Sequence, residues 1–368
     1  MASGVLALLG SGETAPGMTK VHREIFARLH NVSAVNLDTS YGFQLNVPQM
    51  SAKLEEYFKT SLHVDVTTLH FASYDRASEL ERTLFKQEVR QANYVFAGPG
   101  SPTYALKQWA PLHFEDDLFS VLESNGTVCF ASAAALTLGA FTAPIYEVYK
   151  VGIEGLRWRE GLNVLSRFGL NCVVIPHFDN AEGGNYDTRF CYLGEPRLLE
   201  LERQLPDGVA TLGVDEHTAV ILDFANDTLS VKGRSNGFWR LNGESKLLAN
   251  GSTTGLGELR TFVPSPDDAP ANETPEAQNQ PTELAEIAAL GGEAGLEALA
   301  RLVQLANTGG EGFIDPTPLV EGILAARVSA RSSGQYDLAD ELRDALTKAG
   351  VEVKDSPEGT TWSLTGVK

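Results

Sequence analysis

Cysteine is scarce in this sequence, with only Cys129, Cys172 and Cys191 among 368 residues. None of them forms a CxxC pair, which excludes a zinc ribbon or a redox-active dithiol built on that motif. An odd number of cysteines without the spacing of a disulfide framework fits a reducing compartment. We therefore expect a cytoplasmic protein.

Long apolar runs and positive charge are also lacking. No run reaches 18 apolar residues, so we expect no membrane span and no membrane partner. The apolar stretch in "MASGVLALLGSG" is short and follows no basic segment, which predicts a strand rather than a signal peptide. Lys and Arg number 29 against 48 Asp and Glu, and the formal charge of -19 repels phosphate backbones. Nucleic acid is therefore a disfavoured partner.

Apolar residues, by contrast, make up 43% of the chain, which is long enough for two or three domains. Residues 1–262 are predicted to form one domain. Its predicted strands are 5–10, 33–38, 64–70, 94–100, 127–132, 171–178, 209–216, 219–224 and 228–233. Its predicted helices are about 18–30, 49–58, 76–92, 102–108, 114–124 and 132–139. This alternation predicts an α/β fold, doubly wound around a mostly parallel sheet, with the late strands as an antiparallel edge.

The composition changes after this domain. Residues 263–282 are rich in Pro, Asp, Asn and Glu, which predicts a disordered linker. Residues 283–312 are predicted to be a helical connector. Residues 313–368 are predicted to form a small α+β module, with helices near 317–332 and 335–349. A hairpin is predicted from "VEVKD" and "TTWSL", joined by the turn "SPEG".

Ser132 lies in "VCFASAAALTLG", between a buried-looking strand and an Ala-rich helix. A serine at such a junction can occupy a nucleophile elbow, a tight turn that needs small neighbours and exposes the hydroxyl at the carboxyl edge of a sheet. The helix that follows would offer its N–H groups to an oxyanion. The alternative is a helix N-cap serine on a packing face.

Three further motifs follow predicted strands. His177 ends "NCVVIPHF", where a histidine suits a general base or a purely structural role. Asp215 and Glu216 end "VATLGVDE" and would orient an imidazole or form an ordinary β-turn. The glycines of "FAGPGSPTYAL" allow close approach to a ligand, or simply connect a strand to a helix. Because all follow predicted parallel strands, we expect them to meet at the carboxyl edge of the sheet.

The motifs "GSGETAP", "AGPGSPTYAL", "FASAAALTLG", "IPHFDNA…TR" and "LGVDEHTAV" together resemble the peptidase E and cyanophycinase family of serine peptidases, over residues 4–240. The resemblance implies a flavodoxin-like sheet of the class I glutamine amidotransferase type. It implies a triad with Ser132 as nucleophile, His177 as base and Glu216 as acid, with Glu147 as the alternative acid. No organic cofactor is expected. No metal is expected either, because Glu216 and its neighbouring histidine form no HExxH motif.

The resemblance also bears on substrate binding. The implied oxyanion donors are Gly100 and Ala133. The implied substrate-binding residues are Arg189, Ser101 and Asp179. Arg189 would pair with a substrate carboxylate, or form a surface ion pair with Asp187 or Glu195. The sequence departs from the family at Ala134, where the family has glycine, and in the loop "GPGSP".

The C-terminal motifs "YDLADELRDAL", "AGVEVKD" and "PEGTTW" resemble the C-terminal module of cysteinyl-tRNA synthetases. The resemblance implies a helical hairpin closed by a β-hairpin. Residues 311–368 hold ten acidic residues against six Lys or Arg, which argues against strong autonomous binding of RNA. We interpret the module as a docking or structural domain, with tRNA as a less favoured partner.

Two functions are compatible with these patterns. The first is a serine hydrolase that cleaves a small peptide or isopeptide amide bond, next to aspartate if the resemblance extends to the substrate. The alternative is a non-catalytic protein that senses a small molecule or acts as a scaffold, whose C-terminal module docks a partner such as an RNA or a synthetase. An exposed edge strand would also allow a homodimer.

Overall fold

In the computed structural model, the described residues are 3–152, 155–184 and 186–262, followed by scattered helical positions from 320 to 347 and a hairpin within 351–364. The chain divides into two compact units, Met1–Ala271 and Asn272–Lys368. The predicted linker and connector, residues 263–312, lie outside the described residues.

The first unit contains fourteen strands and eight α-helices among its described residues. The strands are β1 (Val5–Leu9), β2 (Ala34–Leu37), β3 (Val66–Leu69), β4 (Tyr94–Ala97), β5 (Thr127–Ala131), β6 (Phe141–Thr142), β7 (Arg159–Glu160), β8 (Cys172–Ile175), β9 (Ala210–Val214), β10 (Thr218–Asp223), β11 (Thr228–Gly233), β12 (Gly237–Leu241), β13 (Glu244–Leu248) and β14 (Thr253–Gly255). The helices are α1 (Thr19–Phe26), α2 (Val47–Tyr57), α3 (Glu79–Gln91), α4 (Pro102–Trp109), α5 (Phe114–Glu123), α6 (Ala133–Leu136), α7 (Glu195–Glu202) and α8 (Leu256–Arg260). All nine predicted strands and all six predicted helices are present, with ends that differ by a few residues.

The largest sheet has eight strands in the order β14-β11-β10-β1-β5-β4-β2-β3. Strands β1 to β5 run parallel, and β10, β11 and β14 pair antiparallel at one side. The predicted α/β fold with a mostly parallel, flavodoxin-like sheet and an antiparallel edge is therefore confirmed. Because β5 lies between β1 and β4, the loops that follow these three strands meet at one edge.

The prediction that all motifs share one sheet edge is wrong for β8 and β9. These two strands pair in parallel, but they belong to a second sheet in the order β13-β12-β9-β8. An apolar run that is buried on both faces has the same sequence pattern in either sheet, so the pattern alone does not assign a strand to a sheet.

The eight-stranded sheet is covered on both faces by apolar side chains. Leu6 and Leu8 of β1 pack into one cluster, and Ala7 and Leu9 pack into another on the opposite face. This alternation follows from the two-residue period of a strand. The larger cluster also contains Trp239. The two buried faces hold the carboxyl ends of the strands in fixed register.

The described part of the second unit contains a hairpin of β15 (Val351–Ser356) and β16 (Gly359–Leu364), as predicted. Buried helical residues, among them Leu342 and Leu346, fall within the predicted second helix of the module. None of the helices in the described residues is long and apolar enough to cross a bilayer.

Candidate active site

Ser132 occupies a strained turn between β5 and α6. Its backbone has φ 51° and ψ -124°, a conformation that costs a residue with a side chain on the order of 1–3 kcal/mol. The N–H of Ser132 donates to the carbonyl of Leu9 on the neighbouring strand, at 3.0 Å, which helps to hold the turn. Such a turn exposes the hydroxyl at the strand end, as in a nucleophile elbow.

The side chain of Ser132 does not cap helix α6, so the N-cap interpretation fails. Instead its Oγ lies 2.8 Å from Nε2 of His177. Ala134, where the family has glycine, buries its methyl group in the larger core cluster. The turn therefore accommodates the extra methyl group on its core side.

His177 follows β8 and is held by backbone contacts to the other sheet. It has φ 48°, and its N–H donates to the carbonyl of Gly10 at 3.3 Å. Its Nδ1 lies 2.6 Å from Oε1 of Glu216. Because a carboxylate only accepts, Nδ1 carries the proton and Nε2 accepts from the hydroxyl of Ser132. A hydroxyl, an imidazole and a carboxylate linked in this way can perform nucleophilic catalysis.

Glu216 lies in the short connection between β9 of the second sheet and β10 of the first. Its Oε1 also accepts from Nδ2 of Asn180 at 3.0 Å, and its backbone N–H donates to Oδ1 of Asp179 at 2.7 Å. The hydrogen bond from His177, followed by that from Asn180, lowers the pKa of Glu216. The carboxylate is therefore held in its charged form, facing the imidazole.

Asp215, next to Glu216, is buried with 2% of its surface exposed. Its Oδ2 accepts from the hydroxyl of Ser235 and from the N–H of Asn236. Burial, with repulsion from Asp179 as the next cause, raises the pKa of Asp215 to about 6. Asp215 therefore supports the connection that carries Glu216, and its charged form destabilises the folded state.

Replacing Asp215 with asparagine is expected to raise the free energy of unfolding at pH 7 and to change it less at pH 4. The raised pKa means that the folded state binds the proton more tightly than the unfolded chain does. Stability is therefore lost as the pH rises from about 4 to about 6, by on the order of 3 kcal/mol. Urea unfolding of both proteins at the two pH values measures the effect. An equal difference at both pH values would contradict it.

Two backbone N–H groups beside Ser132 have no acceptor among the described residues. One belongs to Ala133, at the start of α6, and the other to Gly100, in the loop after β4. Gly100 has φ +144°, and a Cβ there would lie 2.0 Å from the carbonyl oxygen of Ser40. This position therefore requires glycine, and both predicted oxyanion donors lie at the edge that carries Ser132.

The other predicted residues have structural partners. Ser101 is the N-cap of α4, since its Oγ accepts from the N–H of Tyr104 at 3.2 Å. Oδ1 of Asp179 accepts from the backbone N–H of Glu216, so this carboxylate supports the predicted acid. Glu147 is not the partner of His177; its Oε1 accepts from the hydroxyl of Thr103 at 2.6 Å.

Arg189 forms the ion pairs of its alternative interpretation. Its Nε and Nη2 contact the two carboxylate oxygens of Asp187 at 2.9 and 2.8 Å, and Nη2 lies 3.1 Å from Glu195. A substrate carboxylate would have to compete with both acids for this guanidinium group.

The sequence reasoning missed two residues that bear on the site. Asn180 is buried and anchors Glu216, but an asparagine in a Gly-rich loop is also a common turn residue. The ring of Tyr192 lies 5.9 Å from that of His177, in a segment with no helix or strand period.

Glu13 lies in the motif "GSGETAP". Its Oε1 is 3.7 Å from the position that a Cβ on Gly98 would take. Burial raises the pKa of Glu13.

A solved structure with the same fold as the first unit is that of a peptidase from an acI-B1 actinobacterium. It aligns with a TM-score of 0.54 and 19% identity, over 69% of this chain and 97% of that one. A peptidase E-type structure from Listeria monocytogenes EGD-e aligns more loosely, with a TM-score of 0.43 and 12% identity. The alignment with the actinobacterial peptidase shows that the first unit has a peptidase-like fold, as the N-terminal resemblance implies.

Residues 315–362 match the family model described as the cysteinyl-tRNA ligase anticodon binding domain. Similar curated proteins are the cysteine–tRNA ligases of Beutenbergia cavernae, 39% identical over 25% of this chain, and of Bifidobacterium longum, 28% identical over 42%. The chain spans only 19% and 27% of the length of these two ligases. The C-terminal resemblance is thus confirmed for the module alone. The match weighs against the expectation that nucleic acid is a disfavoured partner, because the family is named for binding an anticodon.

Proposed function

We propose that the first unit is a serine hydrolase that cleaves a small peptide or isopeptide amide bond. The observation that supports this most directly is the hydrogen-bonded series from a strained Ser132 through His177 to Glu216, with contacts of 2.8 and 2.6 Å. Strained backbone that surrounding structure holds in place is concentrated at functional sites. No step of the proposed chemistry uses a metal or an organic cofactor.

In the proposed reaction, Oγ of Ser132 attacks the amide carbonyl while Nε2 of His177 takes the hydroxyl proton. The carboxylate of Glu216 stabilises the imidazolium that forms. The N–H groups of Ala133 and Gly100 donate to the oxyanion. The imidazolium then gives its proton to the leaving amine, and the C–N bond breaks to leave an ester on Ser132. Water, activated by the same imidazole, hydrolyses that ester and restores the hydroxyl.

The proposed substrate class is tested with a panel of α-linked Asp-X, β-linked Asp-X and neutral dipeptides. Cleavage of any member, together with covalent labelling of Ser132 by a fluorophosphonate, would support the hydrolase. A preference for Asp-X members would mean that Arg189 exchanges Asp187 for a substrate carboxylate. Absence of both labelling and cleavage would count against the proposal.

A second candidate function, RNA binding by the C-terminal module, is favoured by the family match of residues 315–362. The acidic balance of this region predicts weak and salt-sensitive binding. We expect the full chain to shift the fluorescence anisotropy of a labelled tRNA transcript at 50 mM salt and not at 200 mM. No shift at 50 mM salt would contradict RNA binding and favour a docking role.

A further inference from the structure

Three consecutive residues close to the site have a left-handed backbone. Phe190, Cys191 and Tyr192 have φ of 61°, 57° and 65°. Residues with a Cβ avoid this region, because the Cβ comes too close to the following carbonyl oxygen, and those that enter it do so singly. Strain of this kind persists only where the surrounding structure determines the conformation. The left-handed turn, residues 190–192, therefore requires an explanation.

Contacts on both sides hold the left-handed turn. Oδ1 of Asp187 accepts from the N–H of Arg189 at 3.0 Å, before the turn, and Oδ2 accepts from the N–H of Glu195 at 2.9 Å, after it. The hydrogen bond from the side chain of Arg189 lowers the pKa of Asp187 to about 2, so the carboxylate is charged at neutral pH. Between these ends, the ring of Phe190 packs edge to face on that of Phe178, with centroids 4.6 Å apart. The turn is therefore fixed in place despite its strain.

The left-handed turn is also bound to the residue that carries the proposed base. The N–H of Cys191 donates to the backbone carbonyl of His177 at 3.0 Å. The ring of the next residue, Tyr192, lies 5.9 Å from the imidazole of His177 and is inclined to it by 45°. This separation falls within the range of about 4.5–7 Å found for packed aromatic pairs. The turn thus places a ring beside the imidazole.

Two further contacts hold the ring of Tyr192. Tyr149, in the π-helical turn Tyr146–Val151, stacks on it with centroids 4.5 Å apart. The hydroxyl of Tyr192 donates to Oε2 of Glu182 at 2.5 Å. Burial, followed by the hydrogen bond to Glu182, raises the pKa of Tyr192, so the phenol keeps its proton. Contacts to the face and to the tip of the ring leave it little freedom to move.

We propose that Tyr192 is a positioning residue, whose ring keeps the imidazole of His177 in the orientation in which Nε2 faces Oγ of Ser132. This inference rests on the proposed hydrolase function. Glu216 holds the imidazole at Nδ1, but the last torsion of a histidine side chain is broad, so one hydrogen bond does not fix the plane of the ring. A second ring packed beside the imidazole limits that rotation. The strained backbone is what brings Tyr192 to this position.

The ring and the hydroxyl of Tyr192 have to be distinguished. Tyr192→Phe removes the hydroxyl that contacts Glu182 and keeps the ring. Tyr192→Leu removes the ring and keeps an apolar side chain. The matched control is Tyr74→Leu, which removes a half-buried tyrosine whose ring contacts the guanidinium group of Arg82.

The first experiment measures the rate at which a small fluorophosphonate labels Ser132, together with kcat and KM for the best dipeptide. We expect Tyr192→Leu to lower the labelling rate and kcat by about 10- to 100-fold, the scale for misplacing a reacting group by about 1 Å, with little change in KM. Tyr192→Phe and Tyr74→Leu should keep the wild-type rates. An equal loss in Tyr192→Phe would overturn the proposal and assign the effect to the hydroxyl.

The second experiment needs no turnover, so it separates failure of the positioning role from failure of the hydrolase. Histidine-selective 15N NMR reports the tautomer of His177, whose signal is assigned by its loss in His177→Gln. We expect one tautomer, with the proton on Nδ1, in the wild type and in Tyr192→Phe. Tyr192→Leu should give a mixture of tautomers, because an imidazole that rotates away from Glu216 no longer keeps its proton there.

A single unchanged tautomer in Tyr192→Leu would overturn the proposal, whether or not Ser132 is labelled in the wild type. Circular dichroism and the urea midpoint show whether each variant folds. If Tyr192→Leu does not fold, Tyr149→Leu takes its place, since it removes the ring that stacks on Tyr192 from the other side. It should also give a mixture of tautomers, and an unchanged spectrum would count against the positioning role.

Discussion

Replacing Ser132 with alanine is expected to lower kcat for the best dipeptide of the panel by about 10⁶-fold, the scale found when a triad serine is removed. The reason is that Oγ is the only nucleophile positioned 2.8 Å from Nε2 of His177 in the described residues. Alanine relieves none of the turn strain, because it also carries a Cβ at φ 51°. Steady-state hydrolysis and fluorophosphonate labelling measure the effect.

The matched control for this substitution is Ser124→Ala, which removes an exposed hydroxyl at the opposite end of β5. Its activity should equal that of the wild type. Circular dichroism and the urea midpoint should be the same for all three proteins. A Ser132→Ala protein that folds and retains more than about one hundredth of the activity would refute Ser132 as nucleophile.

Replacing Glu216 with glutamine is expected to lower kcat by about 10³- to 10⁴-fold, with a much smaller change in KM. The amide can donate to Nδ1 of His177, which favours the tautomer with the proton on Nε2. That nitrogen then no longer accepts the proton of Ser132. The loss also removes the negative charge that stabilises the imidazolium.

This second prediction also tests which acid completes the series. Glu147→Gln should leave kcat nearly unchanged, since Glu147 contacts Thr103 and not His177. Burst-phase kinetics with an activated ester would separate slow acylation from slow deacylation. A Glu216→Gln effect below tenfold, with normal stability, would be inconsistent with the proposed role of Glu216.

The sequence was most informative where a local pattern determines the structure. Apolar runs located β1 to β5 because these strands are buried, with an exposed position only at Thr67 of β3, and each ends at a polar or Gly-rich loop. The small residues around Ser132 indicated a tight turn for the same local reason. The positions of His177 and Glu216 after strands could also be predicted, although their roles came from resemblance.

The parts that sequence reasoning missed depend on contacts between distant residues. Strands β12 and β13 are short and half exposed, so their alternation is weak. The assignment of β8 and β9 to a second sheet depends on which strands pair, and no local pattern encodes it. Likewise, Asn180 contributes through one bond to Glu216, 36 residues away. The turn at Tyr146–Val151 has no helical period long enough to be recognised.

The two sheets contribute different residues to the site. Ser132 ends a strand of the eight-stranded sheet, whereas His177 follows a strand of the four-stranded sheet. Their 2.8 Å contact therefore exists only while the two sheets keep their relative position. A hydrogen bond is lost when its atoms separate by about 1 Å. Heating that loosens the interface between the sheets would thus separate the Ser132–His177 pair before either sheet unfolds.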